Sequence, residues 1–203
     1  MEFREKIIEY RSQASSVSSL STKTDVFFLE KYGNRGKGSL VKFNGTLIPG
    51  SIYFFNYNTD SKIGEKIKFI DRNPLVLYLS SEKVGEDTIA KCLDLITVPP
   101  DQRVEILQRF WNKFSPVMEE NTKKSSKGEN PSPIRLSSDD LSSLFKGTGY
   151  KFSLGGFKVK FISEVKFIEP EDWHKIPYIK YSSVQGMPIN EIYTNYKSKL
   201  KTE

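Results

Sequence analysis

Two chemically versatile residue types are nearly missing from this 203-residue chain, which has one cysteine, Cys92, and one histidine, His174. A single cysteine closes no internal disulfide, so the fold is expected to rest on a hydrophobic core formed in a reducing compartment, with Cys92 as a core thiol among apolar neighbours. The same scarcity leaves little material for a Cys/His zinc site or for Cys–His or Ser–His catalysis. His174, beside Trp173 at a helix start, reads as a surface residue. Long apolar runs are missing too: nothing approaches the roughly 18 residues that span a bilayer. The opening MEFREKIIEY is charged and has no apolar h-region, so it is not a secretory signal. The expectation is therefore no metal, no cofactor and no membrane partner.

What is present is the composition of a folded protein, with 37% hydrophobic and 13% aromatic residues. The length suits one compact domain with decorations, or two small ones, and one core is expected. Lys and Arg exceed Asp and Glu by 31 to 25, and the net charge of +6 favours a polyanionic partner.

Phe3, Ile7 and Tyr10 recur at helical spacing, and the Ser-rich run Ser12–Ser21 reads as a linker after that helix. Asp25–Leu29 is a short strand candidate. The Gly33–Gly38 run lacks the Walker spacing, because Lys37 is followed by Gly38 and then by strand-like sequence. It reads as a loop whose Arg35 and Lys37 are candidate phosphate contacts. From Leu40 the pattern is β: LVKF, Asn44-Gly45, TLIPGSIYFFNYN with a Pro49-Gly50 turn, then KIKFIDRNPLVLYL and Thr88–Val98. Lys66 and Lys68 alternate with Ile67 and Phe69, whereas Leu75–Leu79 is wholly apolar, as a strand covered on both faces would be. Pro99-Pro100-Asp101 opens a helix with Val104, Leu107, Phe110, Trp111 and Phe114 on one side. Asn121–Ser132 reads as an exposed loop. Ser137 or Ser138 caps a short helix that ends near Gly147. Phe157, Val159 and Phe161 alternate with Lys158 and Lys160, Pro170 starts a helix, and Pro188 opens a tail helix.

The expected fold class is α+β: a small curled β-sheet or SH3-like β-barrel packed by helices, with a C-terminal α/β extension. Its divisions are an N-terminal helix and linker (1–39), a barrel-like core with its packing helix (40–120), a flexible Lys/Ser-rich loop (121–136) and the extension with its tail helix (137–203).

For chemistry, Glu164-Val165-Lys166 is half of a metal-nuclease pattern, but no acidic partner appears on an upstream strand, and on a strand these two residues make an ordinary surface pair. No catalytic residue is assigned. Cations interleaved with aromatics give a better signal for nucleic acid: Lys151, Lys158 and Lys160 near Tyr150, Phe152 and Phe157, with Lys66, Lys68 and Arg72 elsewhere. The bland alternative turns the aromatics into the core and leaves the lysines as a solvated face.

DRNPLVLYL, then LITVPPDQR, then FIEPEDWHKIP, resemble in order and spacing the tailed-bacteriophage family of DNA end protector proteins. The matching positions are Pro49-Gly50, Asp71-Arg72 with Pro74–Leu77, Pro99-Pro100, and Pro170–Trp173 with Pro177, a likeness covering about Ile48 to Tyr178. The resemblance implies a non-enzymatic virion protein, assembled in the host cytoplasm, that binds double-stranded DNA ends, shields them and helps complete the head. Its terminal helices would dock on other virion proteins. It identifies no catalytic residue. Two alternatives stand beside it. One is a purely structural neck, tail or other virion component. The other is a MazF-like endoribonuclease, whose Arg-x-Pro step Arg72-Asn73-Pro74 resembles and in which Arg72 would stabilise charge on the scissile phosphate.

Overall fold

The computed structural model describes residues 2–33, 47–58, 73–180, 183–184 and 187–200. Its architecture is α+β, with a five-stranded antiparallel sheet that is open among the described residues and is packed by helices.

Helix α1, Phe3–Ser12, buries Phe3, Ile7 and Tyr10, the face its spacing predicts. The Ser-rich run behind it is not a linker, and Asp25–Leu29 is not a strand: both lie in or against helix α2, Val17–Tyr32. Ser16 supplies the start, its hydroxyl accepting the Ser19 N–H at 3.1 Å. Leu20, Thr24 and Tyr32 then fall on one buried side at multiples of four residues. The β-branched and aromatic Val26, Phe27 and Phe28 suggest a strand by propensity, but packing of Phe27 and Phe28 on the core decides for helix.

Pro49 and Gly50 turn the chain into β1, Ile52–Tyr57. Gly50 has φ +82°, and a Cβ there would lie 2.3 Å from the Ile134 side chain, so the turn needs glycine. Strand β2, Leu75–Val84, and β3, Asp87–Asp94, form a hairpin across Gly85-Glu86. Gly85 has φ +62° at the first connecting position, as a type II′ turn favours. Helix α3 runs from Pro100 to Ser126, continuing through Pro116 and into the segment expected as a loop. Glu120 and Lys124 pair one turn apart at 2.7 Å, and Asn121 exchanges hydrogen bonds with the Ser132 backbone, which draws the returning chain against the helix. Helix α4, Ser138–Leu144, is capped by Ser137 and Asp140 reciprocally.

The sheet is completed by β4, Leu154–Lys158, and β5, Ile162–Ile168, giving the order β4-β3-β2-β1-β5. The segment expected as a C-terminal extension thus supplies both edges of the sheet. A 3₁₀ turn, Val159–Phe161, replaces the continuous strand that alternation suggested there. These three residues reach at most about 14 Å, whereas opposite edges of a flat five-stranded sheet lie about 19 Å apart. The sheet must therefore curl. Side chains agree: the Phe157 ring of β4 meets Tyr57 and Phe55 of β1 edge-on, with centroids 5.1 and 5.3 Å apart.

Curling creates two cores. Inside lie Tyr53, Phe55, Val76, Tyr78, Ala90, Cys92, Phe157 and Val165. Outside, Ile52, Leu75, Leu77, Leu93 and Ile168 pack with the helices, where Phe110 and Trp111 meet the fully buried Trp173. Strand β2 sits in the middle and is covered on both faces, which is why its first five residues are all apolar and all buried. Trp173 belongs to a 3₁₀ helix, Pro170–Tyr178, with Pro170 in its first turn as its position predicts. Short strands β6, Ser183–Val184, and β7, Met187–Pro188, lead into helix α5, Ile189–Leu200.

Candidate functional site

Of the eight sequence-predicted contacts, Arg35, Lys37, Lys66, Lys68 and Arg72 lie outside the described residues. Lys151 is exposed on the 3₁₀ turn Tyr150–Ser153. Lys158 and Lys160 come together on a single carboxylate, Asp87, at 2.6 and 2.7 Å. Hydrogen bonds from both lysines hold the Asp87 carboxyl below its ordinary range. The nearby aromatics take the bland alternative: Phe157 and Tyr150 are buried in the two cores.

Two polar clusters hold elements together. Arg103 of α3 is 1% exposed, and its guanidinium donates to the carbonyls of Ile96, Val98, Ile176 and Ile179 and to the Tyr193 hydroxyl. It joins α3 to the chain after the sheet, to the Pro170–Tyr178 helix and to α5. Glu169, Glu171 and Asp172 form the second cluster, their carboxylates close enough to suggest a cation site. A cation of the chain already occupies it, since the Lys31 ammonium bonds Glu169 and lies 2.6 Å from Asp172 and 3.6 Å from Glu171. Burial would raise the Asp172 carboxyl, but hydrogen bonds from Lys175, Lys31 and Tyr32 outweigh it and hold the group below its usual range. His174 is half-buried against Tyr10 and not a surface residue, and burial takes its pKa down to about 4.

A different arrangement surrounds a cavity of about 470 Å³ bounded by α2, β1, β5 and the Ile179–Lys180 segment. Phe28, Leu29, Tyr32, Phe54, Leu75 and Ile179 make its walls, and Asp25, Asn56, Asn73, Glu164, Lys166 and Lys180 add polar groups. β5 makes this possible through an irregularity. Phe54 pairs with Lys166 and Asn56 with Ser163, so β5 has one residue more than β1 between these pairs, a bulge at Glu164-Val165. Glu164 takes φ +50°, a left-handed conformation that costs a non-glycine residue about 1–2 kcal/mol. Asn56 Nδ2 donates to Glu164 Oε2 at 2.7 Å and steadies it.

The bulge places Val165 in the inner core and Lys166 on the outer, cavity-lining face. Lys166 is 6% exposed, yet its ammonium makes no hydrogen bond or ion pair with a described residue. The cavity's acids are engaged elsewhere: Glu164 by Asn56, and Asp25 Oδ1 by the Lys180 backbone N–H at 2.9 Å. Burial raises the Asp25 pKa against that hydrogen bond. Sequence reading located Glu164 and Lys166 as a pair but not their surroundings. The signal that α2 brings Asp25 beside them was hidden by the strand assignment of that helix.

Comparison with known proteins found no matching family model, no matching curated protein and no matching solved structure.

Proposed function

We propose that this chain is a non-enzymatic, virion-associated phage protein that binds and protects double-stranded DNA termini and assists head completion. The observation that carries the reading is that the blocks resembling DNA end protector proteins touch one another. Gly50 N–H donates to Tyr78 O, Leu95 N–H to Leu75 O, and Arg103 ties the helix opened by Pro99-Pro100 to the carbonyl of Ile176, next to Pro177. The likeness therefore concerns one packed unit rather than scattered dipeptides. The net charge of +6 and the exposed Lys151 suit a phosphate backbone.

The sheet is read as an SH3-like barrel, supported by its order, its curl and the 3₁₀ turn before β5. That outline also keeps the MazF-like alternative in view. On this reading the particle is assembled in the host cytoplasm, with terminal helices α1 and α5 as docking elements for other virion proteins. No described helix is long and apolar enough to cross a membrane.

Gel shifts with linear and circularised DNA of one sequence, between about 50 and 200 mM salt, test the reading. Tighter binding to the linear form and affinity that falls with salt are expected. Equal, salt-independent weakness for both forms overturns end binding and leaves a structural component. RNA cleavage lost in Arg72→Ala with folding intact would move the chain to the endoribonuclease class.

A further inference from the structure

We infer that the cavity between α2, β1 and β5 takes a single unpaired nucleotide, its phosphate answered by Lys166. The inference rests on the DNA-terminus reading for the source of the nucleotide, and on the cavity itself for the chemistry. Lys166 is buried along its stem, 6% exposed as a residue, and its ammonium has no partner among the described residues, so the one cationic group of the cavity wall with a buried stem is open to an arriving anion. Neither surrounding acid is ion-paired with Lys166: Glu164 accepts from Asn56 and Asp25 from the Lys180 backbone.

The rest of the cavity selects the body of the ligand. Phe28, Tyr32 and Phe54 give it aromatic walls, suited to a flat ring. Its volume of about 470 Å³ lies in the range of small-ligand sites and is too small for a duplex end. An aliphatic acid would meet the ammonium, but its chain would strip water from Asp25, Asn56 and Glu164 and offer them no donors. A nucleobase presents both donors and acceptors on its edge, and so satisfies carboxylate and amide groups while its faces lie on the apolar walls. At a DNA end, the terminal nucleotide is the one that unpairs at least cost. The strained bulge fits this use, because it sets Glu164 and Lys166 at the rim and floor of one cavity instead of leaving them as an exposed surface pair.

The test uses the full chain and three probes: a 5′-phosphorylated linear duplex with a short overhang, the same duplex with a 5′-hydroxyl, and a closed circle. A deoxynucleoside monophosphate serves as competitor. Loss of one charge-assisted contact predicts about tenfold weaker binding of the hydroxyl end than of the phosphorylated end. Lys166→Met, nearly isosteric and apolar, should erase that difference while leaving the melting curve cooperative. Phe28→Ala, at the wall, should weaken the monophosphate competitor as a second, independent variant. Preference for linear DNA that ignores the terminal phosphate and both substitutions overturns the cavity inference and leaves end binding standing. Monophosphate binding that depends on Lys166, without preference for linear DNA, keeps the nucleotide site and overturns the terminus reading. Binding of none of the probes overturns both.

Discussion

Arg103 and Lys166 are both buried cations, 1% and 6% exposed, and their surroundings are opposite. Arg103 has four carbonyls and a hydroxyl converging on its fork, so its charge is spread over the groups it joins. Lys166 faces a cavity with no described partner. The difference teaches that burial alone does not assign a role. A cation whose donors are all answered is part of the frame, and one left unanswered beside an apolar cavity is available to a ligand.

Substitutions break or sharpen this contrast. Arg103→Ala leaves buried carbonyls unsatisfied, at about 1–3 kcal/mol for each that finds no new partner, and should give the largest loss in urea unfolding among the substitutions considered. Asp172→Ala strips Lys31, Lys175 and Tyr32 of their shared acceptor and should cost roughly 2–3 kcal/mol at neutral pH. The native Asp172 pKa is lowered below 3.8, so this contribution is full above about pH 4 and is lost as pH falls through the native value. Melting temperatures of the two proteins should therefore converge in acid. Lys166→Met should contrast with Arg103→Ala by leaving stability within about 1 kcal/mol of the parent, because the apolar stem is kept and the ammonium has no described partner to lose. A larger loss would place Lys166 with the frame. Glu164→Gly relieves about 1–2 kcal/mol of left-handed strain against about 0.5–1 kcal/mol of added chain entropy. It should leave stability within about 1 kcal/mol of the parent by the same measurement.

The frame was far more legible in the sequence than the cavity. Leu75–Leu79 announced a strand covered on both faces, Pro170 a helix start, and Phe3, Ile7 and Tyr10 an amphipathic helix, because each follows from local periodicity or from proline geometry. Helix α2 was not legible: Ser16 acts as a cap only once Leu20, Thr24 and Tyr32 have a surface to bury against, and that surface comes from far along the chain. Helix α3 was seen only in part, since the Lys- and Ser-rich end of it is steadied by Asn121 holding Ser132. Lys158 and Lys160 read as a free cationic face because their partner, Asp87, stands at the start of the neighbouring strand β3, 71 residues before Lys158 in the chain. Lys166 was hidden by the bulge itself. One extra residue shifts the strand's phase, so the alternation that assigns sides no longer applies across Glu164.

The pairing of Ile52 with Ile168 also sets a timetable. Strand β1 leaves the ribosome long before β5 is made, and at about 5–20 residues per second the wait is on the order of ten seconds. Throughout it Tyr53 and Phe55 belong to a core that β5 has not yet helped to close, and the outer edge of β1 has no neighbour. For this chain, the hazard of synthesis is concentrated in the interval between β1 and β5.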